Sequence, residues 1–101
     1  MVTRNKMKAI HPGDFLAEIL DETNISQAEF ARRIGVSRMR VSHIVNGQRP
    51  VTAEMAHLIG KAFGQTPQYW MNLQVSYDLK TAETELKNKL RHIQQFDPVA
   101  V

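Results

Sequence analysis

The sequence predicts an all-α fold: one domain of 101 residues holding five helices, with a helix-turn-helix at 26–46 and an extended fifth helix. Three observations carry this. Ser26 and Ser37 each stand where a hydroxyl can cap the first free N–H groups of a short helix, and Gly35 between them can take the left-handed conformation that ends the first of the pair. Apolar residues recur at spacings of three and four along most of the chain. Thr52, Gly64 and the Thr66-Pro67 pair then mark further helix starts and stops.

Residues 1–10 show no periodicity and read as a flexible arm. Its Arg4, Lys6 and Lys8 are able to touch a phosphate backbone, but a solvated tail accounts for them as well. Pro12 suits a first helical turn and Asp14 a helix N-terminus, and with Phe15, Leu16, Ile19 and Leu20 at helical spacing they place the first helix at about 13–22. The second helix spans Gln27 to Ile34 and buries Phe30, Ala31 and Ile34; the third spans Arg38 to Val45. Gly47 closes it. After the loop Gln48-Arg49-Pro50-Val51, Thr52 caps a fourth helix bearing Met55, Leu58, Ile59, Ala62 and Phe63. Gly60 lies inside that helix at a cost of about 1 kcal/mol relative to alanine, which is reasonable if another backbone approaches there.

Thr66-Pro67 opens the fifth helix through Tyr69, Trp70, Leu73 and Tyr77. Trp70 reads as a core residue, with a partner-docking face as the other reading. The apolar stripe then continues through Leu79, Ala82, Leu86, Leu90 and Ile93, past the point where a core of this size is already covered. Residues 67–95 are therefore expected to be helical. The surplus stripe either folds back on its own domain or meets the same stripe of a second chain. A homodimer interface at Leu79, Leu86, Leu90 and Ile93 is the favoured expectation. Phe96 to Val101 is expected to be disordered.

Composition narrows the function. There is no cysteine, which excludes disulfides, thiolate nucleophiles and cysteine metal sites. No segment approaches the roughly 20 apolar residues of a membrane span, so a soluble, cytoplasmic protein without membrane contact is expected. The net charge of +3 is unevenly placed: residues 25–52 hold Arg32, Arg33, Arg38, Arg40 and Arg49 against Glu29 alone, a local +4, as phosphate neutralisation would require. All five are arginines, whose planar fork suits bidentate contacts.

The third helix divides into two sides. Val41, Ile44 and Val45 turn inward, and Arg38, Met39, Ser42, His43 and Asn46 face out, a division that lets a helix lie in the DNA major groove. Arg38, in the first turn, can bind guanine O6 and N7. Met39 can contact a thymine methyl or pack on Phe30. Ser42 and His43, one turn on, are within range of base edges or phosphates, with base contact the expectation. Gln27 and Ser37 at helix starts, with Arg40, Asn46 and Arg49, are expected to hold phosphates. A dimer would set two such helices about 34 Å apart and read a palindromic operator in double-stranded DNA.

Beyond a generic phage-repressor-like helix-turn-helix, the chain resembles the HigA family of antitoxins. The resemblance rests on His11-Pro12-Gly13-Asp14, on the Ser26-Gln27 to Asn46-Gly47 block, and on Thr66-Pro67-Gln68-Tyr69-Trp70-Met71-Asn72-Leu73-Gln74 through Tyr77-Asp78-Leu79, covering roughly residues 10–80. It implies a dimeric, all-helical, non-enzymatic DNA-binding protein. Such a protein neutralises the toxin of its own operon, typically a messenger-RNA ribonuclease, and represses that operon.

Three other readings compete. A stand-alone helix-turn-helix regulator without a toxin keeps the same fold. A protein-interaction module would leave the basic block unused. An enzyme is disfavoured, because His11, His43, His57 and His92 lack metal-ligand spacing and no glycine-rich phosphate loop is present. No cofactor or metal is expected.

Overall fold

Among the described residues, five of the six helices begin on a side-chain cap, and those caps fix where the chain turns. The computed structural model describes residues 9–97. Arg4, Lys6 and Lys8 of the expected arm, and residues 98–101 of the expected tail, lie outside them. Helix α1 spans Pro12–Thr23 with His11 Nδ1 accepting from the Gly13 N–H at 2.8 Å. Helix α2 is Gln27–Ile34, capped by Ser26, and α3 is Arg38–Val45, capped by Ser37. Helix α4 is Ala53–Phe63 under Thr52, and α5 is Pro67–Glu85 under Thr66. Helix α6, Lys87–Arg91, has no side-chain cap. Gly35 ends α2 at φ 77°, as the turn between the two short helices requires.

One core joins the first five helices. Leu16 and Leu20 of α1, Phe30 and Ala31 of α2, Val41 and Ile44 of α3, Met55, Ala56 and Ile59 of α4, and Trp70 of α5 are all buried, with Val51 of the α3–α4 loop among them. Phe30 and Phe63 stack with ring centroids 5.3 Å apart. Trp70 is a core residue, with its indole N–H donating to Gln65 Oε1 at 2.7 Å, and so it is not a docking face. Val45, Ile34 and Leu58 are half-buried, while Ala62, expected on the apolar side of the fourth helix, is exposed.

Two close approaches hold the layers together. A methyl group on Gly13 would lie 1.8 Å from the Ile44 carbonyl oxygen, so the start of α1 rests directly on the backbone of α3. The backbone expected near Gly60 is that of Gln65: a methyl there would lie 2.5 Å from its carbonyl oxygen.

The C-terminal region departs from a single helix over 67–95. Helix α5 stops at Glu85, Leu86 sits between α5 and α6, and residues 92–97 are not helical. The Thr84 hydroxyl donates back to the Lys80 carbonyl at 3.1 Å, a bond that bends helices, and every residue from Glu83 to Asp97 is exposed, so no core supports further turns. Leu79, Leu86, Leu90 and Ile93 are all exposed, the first by 67% and the last by 63%. The stripe does not fold back on its own domain.

Gly13→Ala should destabilise the protein by about 3 kcal/mol, because the methyl displaces α1 from α3. Urea denaturation checks this, and an unchanged midpoint would contradict the backbone contact.

Candidate nucleic-acid interface

The geometry of α3 follows from the burial of two aliphatic side chains. Val41 and Ile44 are 0% and 1% exposed, which fixes the rotation of the helix about its axis. Arg38 and Met39 are then exposed, and Ser42 and His43 are partly so. Met39, at 66% exposed, points to solvent and does not pack on Phe30. The Ser37 hydroxyl accepts from the Arg40 N–H at 3.1 Å, so its capping role is direct.

The loop after α3 winds back against it. The Gln48 and Arg49 N–H groups both donate to the His43 carbonyl, at 2.8 and 3.2 Å, and the Gly47 N–H donates to that of Ile44 at 3.0 Å. Arg49 is thereby brought beside the outward face: Ser37, Met39, Arg40, His43 and Arg49 line one shallow recess of about 100 Å³. Asn46, exposed at the C-terminus of α3, donates through its amide to the Ser42 hydroxyl at 3.4 Å. Gln27 lies apart from that group, half-buried in a cleft with Asp21, Asn24 and Ser26 between α1 and α2.

The local positive charge is partly compensated. Glu29 bonds Arg32, and its second oxygen accepts from Arg33 Nε at 2.9 Å; both guanidiniums hold this carboxyl below the usual carboxylate range, Arg32 first. Arg40 bonds Glu54 of α4 at 3.0 Å and is more covered than its partner. Such surface pairs contribute little to stability. They do direct the charge: Arg38 and Arg49 have no ion pair among the described residues, whereas three of the five arginines do.

Two buried polar residues at this site have roles that the sequence reading did not give them. His11 is 8% exposed; its Nδ1 caps α1, and its ring meets the edge of Tyr77 at 4.8 Å. Burial pushes its pKa below the ordinary value, against the raising effects of Asp14, the Arg49 backbone and Asp78. Gln74 is 4% exposed and accepts from the Val51 N–H at 2.7 Å, while its own amide donates to Asp78 at 2.9 Å. A signal for His11 was present, since a proline at the first helical position marks its predecessor as the cap. Gln74 had none, because its partner lies 23 residues away.

Among the described residues, no group of three or more His, Cys, Asp or Glu could hold a metal ion, and no helix is long and apolar enough to cross a membrane. The helix-turn-helix family profile matches residues 16–70. Virulence-associated protein I of Dichelobacter nodosus is 41% identical over 83 residues, covering 81% of this chain and 77% of its own. The solved structure of an addiction module antidote protein of the HigA family from Coxiella burnetii superposes with a TM-score of 0.84 at 37% identity, over 89% of this chain and all of that one. Pseudomonas aeruginosa antitoxin HigA, solved with the higBA promoter, gives 0.83 at 40% identity over 87% and 97%. With the two capped helices, the outward arginine and the buried tryptophan already in place, these likenesses assign the chain to the helix-turn-helix family and, within it, to the HigA-type antitoxins.

Proposed function

We propose that this chain is an antitoxin that binds an operator in double-stranded DNA, represses the operon encoding it, and neutralises a toxin made from the same operon, a messenger-RNA ribonuclease. One observation carries the DNA part: Val41 and Ile44 are buried while Arg38 and Met39 stand in solvent, so α3 offers a polar, guanidinium-bearing side of groove-fitting width. That the Pseudomonas antitoxin was solved with promoter DNA supports DNA as the partner. Arg38, Met39, Ser42 and His43 contact bases in this reading. Arg40, Arg49, Asn46, Ser37 and Gln27 hold phosphates around them, Gln27 through the start of α2. No catalytic residue belongs to the proposal.

A homodimer completes the reader. The exposed Leu79, Leu86, Leu90 and Ile93 supply apolar surface that a second copy covers, and the two-fold axis between copies corresponds to a palindromic site. The toxin role rests on the family alone; a lone regulator would share every feature of the α3 face.

Arg38→Ala should weaken binding to the duplex lying upstream of this gene by about 1–3 kcal/mol and relax selectivity at one base pair. Arg49→Ala should weaken all sequences alike and reduce the salt slope by about one. Fluorescence anisotropy across salt concentrations checks both, and an Arg38→Ala affinity equal to wild type would show that α3 is not the reading helix.

For the toxin role, expressing a small basic open reading frame adjacent to this gene should arrest growth, and co-expressing this chain should restore it. Continued arrest removes the antitoxin function and leaves the stand-alone regulator.

A further inference from the structure

We propose that His11 and Gln74 are positioning residues for DNA binding: from two sides they hold the backbone of the loop 47–51, so that Arg49 stays beside the outward face of α3. The inference rests on the DNA-binding reading and adds to it two residues that touch no DNA.

Among the described residues these are the two buried polar side chains, at 8% and 4% exposure. Burying a polar group is unfavourable unless it is hydrogen-bonded, and an apolar side chain would fill the same space without that requirement. Both side chains converge on one loop. The His11 ring faces the Arg49 backbone and lies under Gly47, whose absent methyl would come within 3.8 Å of it. Gln74 Oε1 accepts from the buried Val51 N–H, two residues further on. Asp78 accepts from the Gln74 amide and thereby sets which end faces Val51, and the Tyr77 ring rests against His11. Arg49 itself is an exposed residue on a loop whose other backbone bonds run to His43 and Ile44. Those bonds and the two buried side chains together set its place.

The arrangement needs His11 uncharged. Because Nδ1 accepts from the Gly13 N–H, the ring proton sits on Nε2, the atom left to face Arg49. A second proton on Nδ1 would set donor against donor and open the cap of α1. Asp14 on α1 and Asp78 on α5 face the ring and favour that proton, as does the Arg49 backbone; burial opposes it and prevails. The sign follows. A histidine pKa lowered by folding gives a contribution that is complete above the ordinary value near 6.5 and is lost as pH falls below it. In acid the lost Gly13 cap therefore unseats the ring, and the hold on the loop weakens with it although the Arg49 backbone itself favours the proton.

The test compares wild type with His11→Asn, which keeps a cap acceptor for α1 but cannot titrate or reach Arg49. Affinity for the upstream duplex is measured at about pH 7.5 and about pH 5.5. His43, His57 and His92 remain in both proteins, so the difference isolates His11. Wild type should lose about five-fold more affinity on acidification than His11→Asn does. At neutral pH the variant should bind about five-fold more weakly, and this deficit should shrink below about two-fold in an Arg49→Ala background, because the two residues act as one. Equal pH profiles, or a deficit undiminished without Arg49, would overturn the proposal. Hydrogen exchange of the wild-type Val51 amide, without DNA, gives an independent reading: its protection should fall in acid relative to Ile59, and constant relative protection would contradict the mechanism. If wild type bound neither the upstream duplex nor an unrelated one at low salt, the DNA reading itself would fail, whatever the exchange data showed.

Discussion

The docking of α3 governs everything at the candidate interface. Eight residues are too few to form a stable helix in water, so its existence and its rotation are imposed by what it packs against. Val41 and Ile44 insert into the core, and Gly13 admits the Ile44 carbonyl where any side chain would exclude it. With those contacts made and Val45 packed beside them, Arg38 and Met39 have no direction but outward. The exposed arginine and methionine are a geometric consequence of two buried aliphatics.

The charge on the surface is organised by the same packing. Glu29 gathers Arg32 and Arg33 on α2, and Glu54 reaches from α4 to Arg40, so the nominal excess of the motif is concentrated at Arg38 and Arg49. Arg49 comes from outside the helix and joins it because the loop folds back onto the His43 carbonyl. The face is thus composed of one helix and one loop residue, both referred to the same core.

What could be read in the sequence was local. Ser26, Ser37, Thr52 and Thr66 cap helices with bonds spanning three residues, and the apolar spacing of each short helix is a local pattern, so the first four helices and the start of the fifth were legible to within a residue or two. Long-range features were not. Gly13 looks like part of an ordinary helix start, and only the position of Ile44, 31 residues on, gives it a role. Gln74 reads as a polar residue on an amphipathic helix until Val51 is placed against it. The chain beyond Lys80 carries a helical pattern without a core beneath it, and periodicity alone could not show that the helix would break at Leu86 or end at Arg91.

That α3 presents its polar side to base pairs is the claim on which the functional account depends. Titrating isotopically labelled protein with the upstream duplex and following the backbone amides by NMR tests it most directly. The account predicts that the largest shifts fall on residues 37–46 and on the loop through Arg49, with smaller ones at the start of α2. Shifts confined to α1 and α5, with Arg38, Ser42 and His43 unmoved, would contradict it.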